Sequence, residues 1–199
     1  MKVTKISSDT QVVSRWSGGT TTQLAIFPPQ AVYANRDFLW RLSSAVVELP
    51  ESDFTPLPDY DRILLILDGE LTLSHDGGEE YTLHAWEQTR FDGASHTYSR
   101  GQVTDFNLMM RKGRCTGQIG VRKPKSNCGY GEVLSEAYDT RLFYCVSGEI
   151  TATVGAEVFH LSAGDALLLE GNDADAIASC CVWYGDGTGV GILAEMKVE

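Results

Sequence analysis

Alternating apolar and polar residues recur along the chain, in segments bounded by Gly, Pro or Asp. The alternating segments are 20–27, 38–47, 62–73, 105–111 and 141–154. Successive side chains of a strand point to opposite faces of a sheet, so a period of two predicts β-strands. Helical periodicity is hard to find in any segment. The pattern therefore predicts an all-β fold with many tight turns.

An internal repeat organises these strands. The stretch RILLILDGELTL, which starts at Arg62, aligns without gaps with RLFYCVSGEITA, which starts at Arg141. Each copy leads into a predicted hairpin, at Asp76-Gly77-Gly78 and near Gly155, because glycine readily supplies the positive φ of a tight turn. After the hairpins, YTLHAWEQTRFDG aligns with FHLSAGDALLLEG. The repeat predicts two similar β modules.

The stretch between the two copies, 111–131, is rich in Lys, Arg and Gly and is predicted to be a solvated linker whose C-terminal part can add a strand. We therefore expect an N-terminal barrel over residues 1–115 and a C-terminal barrel over 116–199. Whether the second barrel shares strands with the first is left open.

Charge and composition exclude several classes of partner. The 199 residues carry a net charge of −11, a field that repels phosphate backbones and anionic lipids, so neither nucleic acid nor a membrane is expected to bind. No apolar run approaches the roughly 18 residues of a membrane helix, and the N-terminal segment is not expected to be a secretion signal. The five cysteines show no paired spacing and are expected to be free, buried thiols. A cytoplasmic location is predicted.

A Gly-Glu turn after a hydrophobic strand, followed by G-x-x-H, resembles the cupin barrel, and its duplication resembles a bicupin. The resemblance implies two tandem, jelly-roll-like barrels packed in one chain. The position of the family's metal-binding Glu holds Arg62 in the first copy and Arg141 in the second, the paired His are missing, and only His96 matches the pattern. Because a guanidinium stays protonated and has no lone pair for a metal, we expect neither a metal nor a cofactor.

Six further blocks resemble, in order, those of the HutD/Ves family. They are WSGGTT from Trp16, FLWRLSSA from Phe38, DFTPLPDYDR from Asp53, LDG from Leu67, FDG from Phe91 and DFNLMMR from Asp105. The resemblance implies a bicupin without an established enzymatic activity, in a family associated with histidine utilisation and with stress response. Gln23 stands where the family pattern leads us to expect Glu.

Strand alternation places polar residues of these blocks on one face, where an inward polar group must be paired or meet a ligand. The residues expected to converge inside the first barrel are Arg41, Ser43, Arg62, Asp105 and Asn107. Gln23 and Trp16 are added as further ligand-binding candidates. One interpretation is a pocket for a small carboxylate, held by Arg62 or Arg41 through a bidentate contact. The other is an internal salt bridge of Arg62 with Asp59, Asp61 or Asp105.

Three functions are compatible with these residues. The favoured one is a non-enzymatic binding or regulatory protein for a small anionic metabolite. The second is a metal-independent isomerase, lyase or hydrolase acting on a small acid, with His96 or Asp105 as base, although a lone loop histidine is expected to be exposed. The third is a protein-interaction module with filled barrels. Assembly into a homo-oligomer is left open.

Overall fold

The structure, a computed structural model, describes residues 1–123, 130–132, 134–135, 137–171, 181–185 and 189–199. Within these residues the fold is all-β, and the only helices are two short 3-10 turns, η1 (Ser8–Thr10) and η2 (Tyr33–Asn35). The strands are β1 (Lys2–Ile6), β2 (Val12–Trp16), β3 (Gly19–Phe27), β4 (Trp40–Val47), β5 (Glu51–Asp53), β6 (Tyr60–His75), β7 (Tyr81–His84), β8 (Gln88–Asp92), β9 (Thr97–Arg100), β10 (Val103–Arg111), β11 (Cys115–Arg122), β12 (Tyr130–Glu132), β13 (Thr140–Ser147), β14 (Glu149–Val154), β15 (Glu157–Ser162), β16 (Ala166–Glu170), β17 (Cys181–Gly185) and β18 (Val190–Val198).

The chain divides into two compact units. One comprises Val12–Thr116 with Glu199, and the other comprises Met1–Gln11 with Gly117–Val198. The first eleven residues thus lie in the C-terminal unit, where β1 pairs with β16. The sequence, in contrast, predicts them in the N-terminal barrel.

The 12–116 unit is a nine-stranded sheet in the order β2-β3-β4-β10-β6-β9-β5, with β7 and β8 also paired to β6. The long strand β6 pairs with β8 and β10 in its first half and with β7 and β9 in its second. Gly69 lies between the halves at φ +87, and a Cβ there would lie 2.6 Å from the carbonyl oxygen of Gln102. Only glycine fits this position. The core cluster around β6 includes Leu64, Ile66 and Phe91.

The other unit contains two sheets, β1-β16-β13-β18-β11 and β12-β17-β14-β15. Its core cluster includes Phe143, Leu167 and Leu193. The predicted segment 141–154 forms two strands rather than one, because Gly148, at φ +69, separates β13 from β14.

The two copies of the repeat pair in the same way. Both predicted hairpins are confirmed, since β6 continues through the Asp76-Gly77 turn into β7 and β14 turns at Gly155 into β15. Arg62 is opposite Phe91 of β8, and Arg141 is opposite Leu169 of β16, as the sequence alignment predicts.

The linker prediction for 111–131 is wrong for its first half, because residues Cys115–Arg122 form β11 in a sheet. Residues 115, 117 and 119 are buried there while 116 and 118 are exposed, so this short strand carries a period of two beneath its polar composition. Residues 124–129 of the stretch, including Cys128, lie outside the described residues, as does Cys180. Cys115 and Cys145 are free and buried.

Candidate functional site

A cavity of about 270 Å³ lies in the 12–116 unit. Much of its wall consists of alternate residues of β3, β4 and β10, which share a face because side chains two apart in a strand point the same way. Strand pairing places Thr21, Ala45 and Asp105 in one row and Ser43 opposite Asn107 in the next. The sheet therefore supplies a polar wall of fixed geometry.

The structure brings all but one of the predicted ligand-binding residues to this cavity. Those that line it are Arg62, Arg41, Ser43, Asn107, Asp105 and Trp16. Gln23 is outside the lining, but its Oε1 accepts a hydrogen bond of 2.9 Å from Nε of Arg41. Gln23 thus orients a cavity residue rather than facing the cavity itself.

The Arg62 guanidinium is buried and is stacked on apolar rings. Its Cζ lies 4.8 Å from the ring centre of Phe54 and 5.2 Å from that of Phe91. Among the described residues it makes no hydrogen bond or ion pair, and its Nε is buried without a partner. Burial lowers the pKa of Arg62 to about 10, which leaves it charged at neutral pH. The alternative interpretation, a salt bridge of Arg62 with Asp59, Asp61 or Asp105, is not formed within the described residues.

Arg41 is held more firmly. Its Nη1 donates to Oγ of Ser43 at 3.1 Å, and its Cζ lies 4.3 Å from the ring centre of Tyr33. Arg36 lies over the same ring at 4.0 Å. Burial lowers the pKa of Arg41. The cavity therefore contains one guanidinium that is fixed by neighbours and one, Arg62, whose donors have no hydrogen-bond partner in the part of the chain that the structure describes.

Asp105 is the buried carboxyl group of the cavity wall. Burial raises its pKa to about 7, against the opposing effects of the Arg62 charge, a hydrogen bond from the backbone N–H of Ala45, and the Arg41 charge. The neighbouring Asn107 is also buried, and its Oδ1 has no hydrogen-bond partner among the described residues. Buried polar atoms are normally paired, so these groups mark the wall as incomplete without a ligand or solvent.

Asp105→Asn is expected to change the pH dependence of stability. The pKa of Asp105 is about 7 in the folded chain, above its usual value of 3.8, so the folded state holds the proton more tightly than the unfolded state. The stabilisation of the folded state by proton binding to Asp105 is complete below about pH 4, and it is lost as the pH rises towards 7. The free energy of unfolding of Asp105→Asn should therefore increase relative to that of wild type as the pH rises from about 4 to about 7, by a few kcal/mol as an order of magnitude. Urea unfolding at several pH values measures this, and parallel curves for the two proteins would contradict it.

Trp16 lies on the edge strand β2, lines the cavity and is 38% exposed. Its indole ring lies against Gly18, where an added Cβ would lie 2.0 Å from Cζ3 of the ring. Gly18 is thus required for the ring position.

Gly18→Ala is expected to displace the indole of Trp16, because the new methyl group and the ring cannot occupy the same space. Tryptophan fluorescence should change in intensity or wavelength. The same substitution in a Trp16→Phe background should leave the emission unchanged, and an equal change in both backgrounds would show that Trp16 is not the affected residue.

His96, a candidate base, does not line the cavity. Its side chain is 67% exposed, and its Nε2 lies 3.0 Å from Oδ1 of Asp53, a residue of the cavity wall. The structure therefore separates the two candidate bases, placing Asp105 inside and His96 outside.

Arg141, the repeat equivalent of Arg62, has internal partners. It is fully buried, its Nε lies 3.8 Å from Oε1 of Glu195, and its Nη2 donates to the carbonyl oxygens of Ser135 and Tyr138. Glu195 also accepts a hydrogen bond of 2.6 Å from Gln118. In this unit, a carboxylate of the protein itself, that of Glu195, thus neutralises the arginine that is equivalent to Arg62.

Strand register explains this difference. Arg141 is opposite Glu195 on β18, whereas Arg62 is opposite Met109 on β10. Sequence reasoning missed Glu195, because the aligned repeat ends before β18. It also missed Tyr33 and Phe54, the rings behind the two cavity arginines, although Phe54 belongs to a block that it singled out.

Among the described residues, no group of three or more His, Cys, Asp or Glu side chains is placed to hold a metal ion. No helix in the described ranges is long and apolar enough to cross a membrane.

The fold and cavity define an all-β protein with an arginine-lined site in one of its two units. The chain belongs to the HutD family, whose family model matches residues 8–182. It is also 34% identical over 118 residues to Protein Ves from Cronobacter sakazakii, a match that covers 55% of this chain and 61% of that protein. The match thus spans less than two thirds of the length of Protein Ves.

Two solved structures share the fold over essentially the whole chain. A conserved protein of unknown function from Pseudomonas aeruginosa PAO1 has a TM-score of 0.82 at 21% identity, covering 99% of this chain and 100% of that one. HutD from Pseudomonas fluorescens SBW25 has a TM-score of 0.75 at 22% identity, covering 100% of both chains. At these identities the similarity shows the fold alone.

Proposed function

We propose that this HutD-family protein binds a small carboxylate in the cavity, with the Arg62 guanidinium as the main contact, and acts as a binding or regulatory protein. The observation that carries the proposal is the buried guanidinium of Arg62, which has no hydrogen-bond or ion-pair partner within the described ranges. Burying a charge without a partner costs several kcal/mol, and a ligand carboxylate supplies the missing partner. A planar guanidinium binds both oxygens of a carboxylate at once.

The second unit supports the proposal by contrast. There the fold places Glu195 beside Arg141. A protein carboxylate thus supplies the negative charge that, in our proposal, the ligand supplies to Arg62. A volume of about 270 Å³ lies just below the usual range of ligand pockets and favours a small molecule.

We also infer a bicupin architecture, in which the two units are cupin-type barrels in a cytoplasmic protein. The shared hairpins and the matching pairs Arg62–Phe91 and Arg141–Leu169 support it. The cavity in the 12–116 unit favours a ligand over a filled barrel as an interaction module. An association with histidine utilisation or stress response follows from the family resemblance alone.

Asp105 favours one alternative, a metal-independent enzyme acting on a small acid. A carboxyl group whose pKa is about 7 is suited to proton transfer at neutral pH. Incubation of each bound acid with the protein, followed by NMR, separates the two functions. Product formation that depends on Asp105 supports an enzyme, and an unchanged ligand supports the binding protein.

The proposal is tested by equilibrium binding. The panel comprises formylglutamate, glutamate, urocanate, formate and succinate, with succinamide as a neutral control, in a thermal-shift screen followed by calorimetry. At least one acid should raise the melting temperature in a concentration-dependent way, because a ligand that binds only the folded state stabilises it. No stabilisation by any acid, or equal binding of succinate and succinamide, would overturn the proposal.

A further inference from the structure

The buried charges of the cavity do not balance. Two guanidinium groups, Arg41 and Arg62, face it with a single buried carboxyl group, Asp105. When Asp105 is ionised, the buried wall has one positive charge in excess, and when Asp105 is protonated it has two. The protonation state of one residue therefore sets the charge that a ligand must bring.

We propose that Asp105 determines the charge of the acid that the cavity binds: ionised, it favours a monocarboxylate, and protonated, it favours a dicarboxylate. The inference rests on the proposed carboxylate-binding function and adds a specificity-determining residue to it. When a dicarboxylate binds, the Asp105 carboxylate takes up one proton from solvent. This protonation equilibrium is the only chemical change, and no covalent step is involved.

The geometry supports this role. Asp105 and Met109 lie on the same face of β10, and Met109 is opposite both Arg41 on β4 and Arg62 on β6. Asp105 is thus separated from the arginines by the row of Ser43 and Asn107, and it forms no ion pair with either arginine. A second ligand carboxylate would share a cavity of about 270 Å³ with Asp105, which lines its wall. Two like charges at short range cannot both remain ionised without further cations.

The charged groups around Asp105 come from several elements. Arg41 on β4 and Arg62 on β6 favour its ionised form, and so does the Ala45 N–H of β4. From the η2 segment, Tyr33 and Arg36 act on the two arginines.

On the remaining wall, Asp53 of β5 is the other carboxylate. It is 62% exposed and paired with His96. Burial brings the pKa of Asp105 to about 7, so protonation is accessible at neutral pH.

Three isosteric probes separate the charge states: succinate with two negative charges, succinamate with one, and succinamide with none. Calorimetric titrations of the whole chain at pH 7.0 and 8.5, in two buffers of different ionisation enthalpy, give affinity and proton uptake together. We expect succinate to bind about tenfold or more weakly at pH 8.5 than at pH 7.0, with uptake approaching one proton per ligand at pH 8.5. Succinamate should change less than twofold and take up no proton.

Asp105→Asn should make succinate binding independent of pH over this range and at least tenfold tighter than wild type at pH 8.5. His96→Gln, which removes the titratable group at Asp53, should behave like wild type. The proton-uptake measurement on wild type does not depend on any variant, so it decides the matter if Asp105→Asn fails to fold.

The outcomes distinguish the two proposals. If both acids bind, succinamide does not, and succinate takes up no proton, Asp105 does not set the ligand charge, while the carboxylate site stands. If neither these two acids nor any other acid of the panel binds, or if succinamide binds as well as succinate, the carboxylate site is wrong and the role of Asp105 fails with it.

Discussion

Arg141→Met is expected to lower the free energy of unfolding by about 3–5 kcal/mol, whereas Arg62→Met should not lower it and should raise it by about 1–4 kcal/mol, because a buried charge without a partner is removed. Both arginines are buried and occupy equivalent positions of the repeat, and both substitutions put an apolar side chain of similar length into the same kind of strand. The expected difference arises from their partners alone.

Removal of Arg141 leaves Glu195 buried beside an apolar group and deprives the carbonyl oxygens of Ser135 and Tyr138 of their donor. Removal of one member of a buried ion pair leaves an uncompensated charge. Removal of Arg62 breaks no ion pair among the described residues and eliminates a buried Nε without a partner. Its contacts are with the rings of Phe54 and Phe91, which methionine also packs against.

Denaturant unfolding of the two variants measures the difference. The double variant Arg141→Met/Glu195→Met is the control, since removing both charges should recover much of the loss. Equal destabilisation by the two single substitutions would mean that Arg62 is a structural residue, as the internal salt-bridge interpretation holds.

Arg62→Met is expected to weaken carboxylate binding by roughly ten- to a hundredfold, which corresponds to the loss of a charge-assisted hydrogen-bonded contact. Arg62→Lys should fall between wild type and Arg62→Met, because lysine keeps the charge but loses the planar pair of donors. Arg90→Met is the matched control. Arg90 is exposed and pairs with Asp61 at 3.6 Å, so its removal changes the net charge equally without touching the cavity.

A second substitution tests the same contact without removing the arginine. Met109 is opposite Arg62 at the place that Glu195 has opposite Arg141. Met109→Glu should therefore supply Arg62 with an internal carboxylate and reduce acid binding as strongly as Arg62→Met. Met109→Gln, of nearly the same shape but neutral, should have a smaller effect. Full binding by both Arg62→Met and Met109→Glu would show that the acid binds elsewhere.

Much of the local fold follows from the sequence, because it depends on local pattern. The alternation in 62–73 and 105–111 and the glycine turns at Gly77 and Gly155 correspond to β6, β10 and two hairpins. The same alternation predicts which residues of β4 and β10 face together, which is why Arg41, Ser43, Asp105 and Asn107 meet at one cavity.

The remaining features depend on contacts between distant segments. That β1 joins β16 is a pairing between the two ends of the chain, and nothing local in residues 2–6 specifies it. The different partners of Arg62 and Arg141 depend on which residue of β10 or β18 lies opposite, and strand register is not visible in either strand alone. A buried carboxyl with a raised pKa likewise requires knowledge of burial.

The most direct measurement of the carboxylate site is a crystal structure of the protein grown with the tightest-binding acid of the panel, at a concentration near its solution dissociation constant. The predicted result is a carboxylate in the cavity with both oxygens within hydrogen-bonding distance of the Arg62 guanidinium, and with Arg41 contributing a further donor. A cavity that holds only water, with Arg62 turned to pair with Asp105, would contradict it.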